Sequence, residues 1–202
     1  MDIGALVLVG GKSRRMNGDN KAFLEFKNKS FIENITDQLT GFHNIYISVD
    51  NKNKYRNLNF TLVEDMYKDI GPIGGIYSAL KMIEEKYIFV TACDMPKIKK
   101  EFIDFLCDSI TENVECIVTQ DEKDRLCPLG GIYSKDLIGK IENMIEEKDY
   151  KLVNLIYKAK SIIIPLSETN FNESILDNIN NIKDYNKLRN LDIDFQIKQF
   201  DL

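Results

Sequence analysis

Histidine is almost missing from this chain of 202 residues, in which His43 is the only one. Any Ser-His, Cys-His or multi-histidine zinc site would have to be built from that one residue. These classes of catalytic site are therefore nearly excluded. We expect His43 itself to lie in a surface loop between a helix and a strand.

Cysteine is scarce, and long apolar runs are missing. The four cysteines fit neither a CxxC spacing nor a dense disulfide framework; they are Cys93, Cys107, Cys116 and Cys127. No apolar run approaches the roughly 18 residues that a membrane span needs, and no basic segment typical of an export signal precedes the first strand-like residues. We therefore expect reduced thiols, no association with membranes and a cytoplasmic location.

Basic residues are outnumbered by acidic ones, 27 against 32, which gives a formal net charge of -5. A chain with this balance repels a polyanion, so nucleic acid is not an expected partner. The hydrophobic share of 44% and the charged share of 29% are those of an ordinary soluble globular protein. We expect one compact domain over residues 1–202.

Strand-like and helix-like segments alternate along the first half of the chain. Short β-branched or aromatic runs predict strands at residues 2–9, 44–50, 60–64 and 87–92. A capping-box pair, Ser30 and Glu33, predicts a helix that continues to Leu39. Helical spacing predicts a second helix that contains residues 76, 79, 80 and 83. We expect a further helix at residues 99–110.

The second half is less regular but continues the same pattern. It predicts strands at residues 115–120, 130–133 and 161–166 and helices at residues 135–147 and 182–191. Alternation of this kind is typical of right-handed βαβ units. We predict a Rossmann-like, three-layer α/β/α sandwich with a mixed, mostly parallel sheet, in which ligands bind at the carboxyl ends of the strands.

The segment after the first strand, GGKSRRMNGDNK at residues 10–21, joins paired glycines to several cations. Bare backbone N–H groups and cations at a strand end can hold a polyphosphate. The segment is not a Walker A loop, because Leu6 stands where that motif needs its first glycine, and it is not GxGxxG. The alternative is a glycine turn with solvated basic residues.

Two aspartates directly follow predicted strands. Asp65 comes after FTLVE and Asp94 after YIFVTAC. A carboxylate at the tip of a buried parallel strand lies over the same cleft as the glycine loop, where it can hold magnesium on phosphate oxygens. The alternative for Asp94 is a helix N-cap or a turn residue ahead of Met95-Pro96.

Two nearly identical heptads occur at residues 72–78 (PIGGIYS) and 128–134 (PLGGIYS). Their similarity does not extend outward, so we interpret them as two independent glycine-rich sites. At the first site, we expect Gly71, Gly74 and Gly75 to lead into a helix. In the second, Gly130 and Gly131 interrupt a strand, which often marks the close approach of a ligand or of another backbone segment.

Several of these blocks together resemble one family. The sequence LVGGKSRRMNGDNKAFLEF (residues 8–26) resembles the LAGGxSxRMGGxDKxLL signature of the molybdenum cofactor guanylyltransferases, the MobA family, within the GT-A-like or nucleotide-diphospho-sugar transferase type of nucleotidyltransferases. EDMYKDIGPIGGIYSAL, TACDMPKI and RLCPLGGIYS are similar to its later blocks, in order. LDNINNIKDYNKL (residues 176–188) is more faintly similar to the closing NxNTPEDL block.

The resemblance implies a magnesium-dependent guanylyltransferase that transfers GMP from GTP to the phosphate of molybdopterin and releases pyrophosphate. It implies catalytic roles for Arg15, Lys21 and Asp94, with Asp94 as the magnesium ligand. The nucleotide-binding residues that it implies are Leu8, Val9, Gly10, Lys21, Asp65 and Asp94. The implied partners are GTP, molybdopterin and, transiently, the enzymes that accept the finished cofactor.

The chain departs from the family pattern at three positions, Asn17, Asn20 and Asn181. The first two leave the spacing to Lys21 unchanged, so they affect the loop geometry. The third weakens an assignment of Asn178 and Asn180 to the molybdopterin end. The alternative functions are a cytidylyltransferase for the same cofactor, a sugar-phosphate or methylerythritol-type nucleotidyltransferase, and a nucleotide-binding module without turnover.

Overall fold

The structure is a computed structural model that describes residues 2–9 and 21–190. Two of the predicted site residues, Gly10 and Arg15, lie outside the described residues. The strands of the described part are β1 (Ile3–Leu8), β2 (Glu25–Phe26), β3 (Lys29–Ser30), β4 (Ile45–Val49), β5 (Thr61–Glu64), β6 (Tyr87–Ala92), β7 (Cys116–Gln120), β8 (Leu126–Ser134) and β9 (Ser161–Pro165). The α-helices with both ends described are α1 (Phe31–Gln38), α2 (Pro72–Met82), α3 (Lys100–Asp108), α4 (Ile138–Glu146) and α5 (Leu152–Lys158), and residues 182–190 are helical as well.

Seven strands form one sheet, in the spatial order β5-β4-β1-β6-β8-β7-β9. Neighbouring strands are parallel except where β8 pairs with β6 and with β7, because β8 runs antiparallel to both. The short strands β2 and β3 form a separate hairpin. The predicted mixed, mostly parallel sheet is confirmed.

Alternate side chains of the central strands serve two cores. In β1, Ala5 and Val7 pack into a cluster that includes the apolar faces of α1 and α3, whereas Leu6 and Leu8 pack against α2, α4 and α5. This is the period of two that a strand imposes when both of its faces are buried. The three-layer sandwich follows, with helices on both faces of the sheet.

Local signals set the starts of the first two helices. The Ser30 N–H donates to Glu33 Oε2 at 2.7 Å, and the Glu33 N–H donates to Ser30 Oγ at 3.3 Å, so the predicted capping box opens α1. Pro72 occupies the first turn of α2 after Gly71, which has a φ of 78°. Proline suits that position because its missing N–H would have no helical partner there.

Some predicted boundaries were wrong. Gly74 and Gly75 lie within α2 rather than ahead of it, since the helix already begins at Pro72. Strand β8 starts at Leu126, before the predicted start at residue 130, and the predicted helix at 135–147 begins with a 3-10 turn, Lys135–Leu137, before α4. Helix α5 was not predicted; its buried residues, Leu152, Leu155 and Ile156, join the core beside α4.

The scarce residues lie where the sequence predicted. His43 is exposed in the connection between α1 and β4, and all four cysteines are free. Within residues 2–9 and 21–190, no helix has the length and apolar character needed to cross a membrane. The assignment of residues 1–202 to one domain stays a prediction.

Candidate active site

The carboxyl ends of β1, β4, β5 and β6 meet along one edge of the sheet. Backbone hydrogen bonds continue the pairing just beyond the strands: the Val9 N–H donates to Ser48 O at 3.0 Å, and the Cys93 N–H donates to Leu8 O at 3.1 Å. The Asp65 N–H donates to Val49 O at 3.2 Å in the same way. Because the strands are parallel, the segments that follow them all emerge at this edge.

Lys21 and Asp94 form an ion pair at this edge. Lys21 Nζ lies 3.1 Å from Asp94 Oδ2, and the two side chains are 19% and 20% exposed. The pair is thus shielded from bulk water yet reachable by a ligand, and 73 positions separate the two residues in the chain. The structure therefore brings together two of the three residues that the sequence predicted to be catalytic.

Asp94 lies in a turn that backbone hydrogen bonds and two buried side chains hold in place. The Met95 N–H donates to Ala92 O at 3.2 Å, and the Ile98 N–H donates to Met95 O at 3.3 Å. Met95 and Ile98 are both buried. The N-cap of the following helix, α3, is Lys99. Asp94 is therefore a turn residue rather than the cap of α3, and its carboxylate contacts Lys21.

Asp65 contacts a polar residue that the sequence analysis missed. Ser48 Oγ donates to Asp65 Oδ1 at 2.8 Å, from a position on β4 that is only 2% exposed. Burial raises the pKa of Asp65, and the hydrogen bond from Ser48 opposes that rise. A serine inside the apolar strand sequence IYISV was the signal that could have identified Ser48.

Helix α2 supports Asp65 from the adjoining layer. A Cβ added at Gly75 would lie 2.5 Å from Ser48 Oγ and 2.8 Å from Leu8 Cδ2, so only glycine allows the helix this close. Ser78 Oγ accepts a hydrogen bond from the Met66 N–H at 2.8 Å and donates to Gly74 O at 2.7 Å. The helix thereby fixes the chain directly after Asp65.

The glycines of the second glycine-rich block, residues 128–134, lie close to other parts of the protein. A Cβ on Gly131 would lie 2.8 Å from Ile117 O, next to a register shift between β7 and β8. Gly130 has a φ of 77°, and a Cβ there would meet Leu176 Cδ2 at 2.6 Å. The expectation of a close approach is confirmed: Gly131 faces a backbone oxygen of β7, and Gly130 faces a side chain of the asparagine-rich stretch.

The asparagine-rich stretch also reaches the candidate site, through a backbone contact that no sequence pattern indicated. The Ile179 N–H donates to Asp94 O at 2.8 Å, between the exposed residues Asn178 and Asn180. Asn181 Oδ1 accepts from the Asp184 N–H at 3.0 Å, so it serves as the N-cap of the helical residues 182–190. Threonine, which stands there in the family pattern, is also a good N-cap.

The described residues fit a magnesium ion that the substrate helps to hold. No group of three or more His, Cys, Asp or Glu side chains in the described ranges could hold a metal ion by itself. Magnesium commonly uses only one or two carboxylates and takes its remaining ligands from water and substrate phosphates. Asp94, partly exposed at the end of β6, can provide such a carboxylate.

Leu8 and Val9 lie at the end of β1 beside these groups. Both are buried, at 7% and 8% exposure, so their side chains belong to the core. Their backbone groups bond to Ser48 O and to the Cys93 N–H, so they lie between Asp65 and Asp94 along the sheet edge.

Comparison with known proteins identifies the family. Residues 5–162 match the family model described as MobA-like NTP transferase domain. A Clostridium perfringens (strain SM101 / Type A) protein named "Probable molybdenum cofactor guanylyltransferase" is 35% identical over 189 residues, which are 91% of this chain and 94% of that protein. The molybdenum cofactor guanylyltransferase of Syntrophotalea carbinolica is 33% identical over 153 residues, 75% of this chain and 72% of that protein.

A solved structure agrees with the fold. The molybdopterin-guanine dinucleotide biosynthesis protein A of Archaeoglobus fulgidus superposes with a TM-score of 0.79, covering 93% of this chain and 97% of that chain at 21% identity. The resemblance noted in the sequence is confirmed. The chain belongs to the MobA-like NTP transferase family and is a nucleotidyltransferase.

Proposed function

We propose that this enzyme transfers GMP from GTP to the phosphate of molybdopterin and releases pyrophosphate. The observation that carries the proposal is the Lys21–Asp94 pair at the carboxyl edge of a parallel sheet, in a chain 35% identical over 189 residues to a protein named for this activity. A cation and a carboxylate side by side are the groups that nucleotidyl transfer needs, one for phosphate oxygens and one for a metal ion.

The nucleotide occupies the β5, β4 and β1 side of the edge. Asp65, half-buried and held by Ser48, accepts hydrogen bonds from the nucleoside, and the chain at Leu8, Val9 and Gly10 contacts the nucleotide. Lys21 and Arg15 bind the phosphates. The strand order supports these two roles, because Asp65 lies on one side of β1 and Lys21, at Asp94, lies on the other. A nucleotide between them would pass over the end of β1.

Asp94 holds the magnesium ion in this proposal. When bound, the ion neutralises charge on the phosphate oxygens of the nucleotide. The shared contact with Lys21 suits this role, because the lysine ammonium balances the carboxylate before the nucleotide binds and can donate to a phosphate oxygen afterwards. A cation aimed at phosphate contributes most when charge moves in the transition state.

The chemistry asks little of the protein beyond positioning. The phosphate of molybdopterin attacks the α-phosphorus of GTP in line, one P–O bond forms, and the bond to pyrophosphate breaks. Orientation and charge neutralisation supply most of the lowering of such a barrier, and no histidine is needed. This agrees with a chain whose one histidine is exposed between α1 and β4.

We place the reaction in the cytoplasm and expect transient contact with the enzymes that accept the finished cofactor. Free thiols at all four cysteines support a reducing compartment.

A panel of GTP, CTP, ATP and UTP with molybdopterin and magnesium tests the proposal, with the dinucleotide product read by mass. We expect at least about a tenfold preference for GTP over CTP, which corresponds to roughly 1.4 kcal/mol. Equal turnover of CTP and GTP would contradict the guanine preference, and a preference for CTP would favour the cytidylyltransferase alternative. Pyrophosphate release only with a sugar phosphate would change the acceptor, and no release with any nucleotide would favour a binding module.

A further inference from the structure

The segment that faintly matches the closing block of the family forms what we call the arm, residues 176–188. At its start, the arm is fastened to the turn that carries Asp94. The Ile179 N–H donates to Asp94 O at 2.8 Å, and Lys97 Nζ lies 2.8 Å from Asp177 Oδ2. Leu176 packs onto Gly130, where a side chain would leave no room for it.

At its other end, the arm is fastened to the segment that follows Lys21. Tyr185 OH donates to Glu25 O at 2.8 Å. Ile179 and Leu188, which are 4% and 3% exposed, form an apolar cluster with Phe26 and Phe31. This cluster is separate from the two cores on the faces of the sheet. Ile179 takes part in both attachments, through its N–H at Asp94 and through its side chain at Phe26 and Phe31.

We infer that the arm is a positioning element that holds the Lys21 and Asp94 segments together, with Ile179, Tyr185 and Leu188 as its positioning residues. Lys21 and Asp94 are 73 positions apart and lie on different segments, at 3.1 Å from each other. The segments share one core through Ala22 and Met95, and the arm adds hydrogen bonds and a second apolar cluster to that contact. The arm bonds to one of these segments at Asp94 O and to the other at Glu25 O. Loss of either attachment lets the two groups move apart, and a displacement of about 1 Å at a reacting centre can cost 10²-fold in rate.

The inference uses the proposed function for its activity measurement only. The nucleoside side of the edge, at Asp65, lies across β1 from Asp94. A loosened arm should therefore lower kcat for nucleotidyl transfer while leaving KM for GTP nearly unchanged. A general loss of stability would instead reduce the amount of active enzyme and would leave both kcat per active molecule and KM for GTP unchanged.

Two matched pairs of variants test the arm. Tyr185→Phe removes the hydroxyl that bonds Glu25, and Tyr77→Phe removes a hydroxyl with a hydrogen bond of the same 2.8 Å length, to Glu142 on the opposite face of the sheet. Leu188→Ala opens the cluster under the arm, and Leu152→Ala is the same truncation at a buried site on α5. The two tyrosine variants keep the ring and are expected to fold.

We expect kcat to fall about fivefold in Tyr185→Phe and about tenfold or more in Leu188→Ala, with less than a twofold change in either control once active protein is counted. Hydrogen–deuterium exchange without substrate should rise several-fold in residues 21–26 and 93–99 for the arm variants only. Leu188→Met, which keeps the buried volume, should restore both readouts.

Arm variants that exchange and turn over like their controls would overturn the inference. If the wild type turns over GTP and the arm variants match the controls, the inference fails alone. If exchange rises in both segments but the wild type transfers no nucleotide to molybdopterin, the proposed function fails and the arm stands.

Discussion

The ion pair of Lys21 and Asp94 offers the sharpest test at the scale of single residues. Asp94→Asn keeps the size of the side chain and removes the charge that a magnesium ion needs. We expect turnover to fall about a thousandfold, which corresponds to roughly 4 kcal/mol. The melting temperature should change by only a few degrees, because asparagine keeps the size of the side chain and can still accept the hydrogen bond from Lys21 Nζ.

The measurement is turnover against magnesium concentration, together with melting curves, for wild type and variant. Asp37→Asn is the matched control, because Asp37 also pairs with a lysine, Lys29, at 2.6 Å on an exposed surface. A near wild-type rate with unchanged magnesium dependence in Asp94→Asn would place the metal elsewhere. Asp65 would then be the leading candidate.

Asp65 should show a conflict between stability and function. Burial raises the pKa of Asp65, so its ionised form costs stability in the folded state at neutral pH. Asp65→Asn removes that cost while its Oδ1 can still accept from Ser48. We expect the melting temperature to rise by about 1–2 °C at pH 7 and KM for GTP to rise as well.

The sign of this effect can be checked by pH. At a pH below the ordinary pKa of aspartate, Asp65 is protonated in both the folded and the unfolded states. The burial of its charge then costs no stability, and the advantage of asparagine disappears. The stability gain of Asp65→Asn should therefore be largest at neutral pH. It should disappear as the pH falls through the raised pKa of Asp65 in the folded state toward about 4, the ordinary pKa of aspartate. A gain that stays constant down to pH 3 would contradict burial of the charge as its cause.

Single positions also mark the limits of the sequence analysis. Asp65 and Asp94 could be selected because each directly follows an apolar strand. A serine inside an apolar strand marks Ser48 as unusual, but neither its contact with Asp65 nor the contact of Ile179 can be derived from neighbouring positions. The hydrogen bond of Ser48 depends on the pairing of β4 with β5, and that of Ile179 depends on where the arm crosses the sheet edge.

At the scale of elements, helix α2 and the sheet edge touch through Gly75. Gly75→Ala would place a methyl group 2.5 Å from Ser48 Oγ, and this overpacking should outweigh the helix preference of alanine. We expect a loss of about 1–2 kcal/mol in the free energy of unfolding and a higher KM for GTP, because Ser48 and Asp65 are displaced.

Gly139 provides the matched control for that substitution. It lies in α4, is exposed, and a Cβ there would meet nothing within 4 Å. Gly139→Ala should therefore stabilise the protein by about 0.5–1 kcal/mol with unchanged kinetics. Urea unfolding and GTP kinetics on both variants separate the two effects. Equal stability changes would show that α2 does not press on Ser48.

Element types were predicted better than element ends. Short apolar and β-branched runs identified β1, β4 and β6, because these strands are buried along almost their whole length. Helix α5 is only seven residues long, too short for a clear helical period. The start of β8 was missed because Cys127, Pro128 and Leu129 resemble a loop in sequence and become a strand only by pairing with β7.

At the scale of the whole molecule, the free thiols report on the packing of the fold. Burial raises the pKa of Cys93 and Cys116 to about 12 and that of Cys107 to about 11, and it also raises the pKa of the half-buried Cys127. Thiolates are the reactive form, so the three buried thiols should react very slowly in the native protein, whereas the half-buried Cys127 should react faster than they do.

We expect a thiol reagent at pH 8 to modify at most one cysteine of the folded protein within minutes and all four in denaturant. The single reactive site should be Cys127, and Cys127→Ser should abolish the native reaction. Two or more cysteines reacting at similar rates in the folded state would contradict the burial of the other three.

The sequence alone determined the alternation of strands and helices, the glycine-rich cationic segment, the aspartates at strand ends and the family. These features are local: periodicity, caps and residue order are written in neighbouring positions. The strand order, the 3.1 Å contact between Lys21 and Asp94, the support of Ser48 by α2 and the attachment of the arm to Asp94 were decided only by the tertiary structure. Each of these joins residues far apart in the chain, and the burial of apolar faces against one another selects such contacts, which no local pattern encodes.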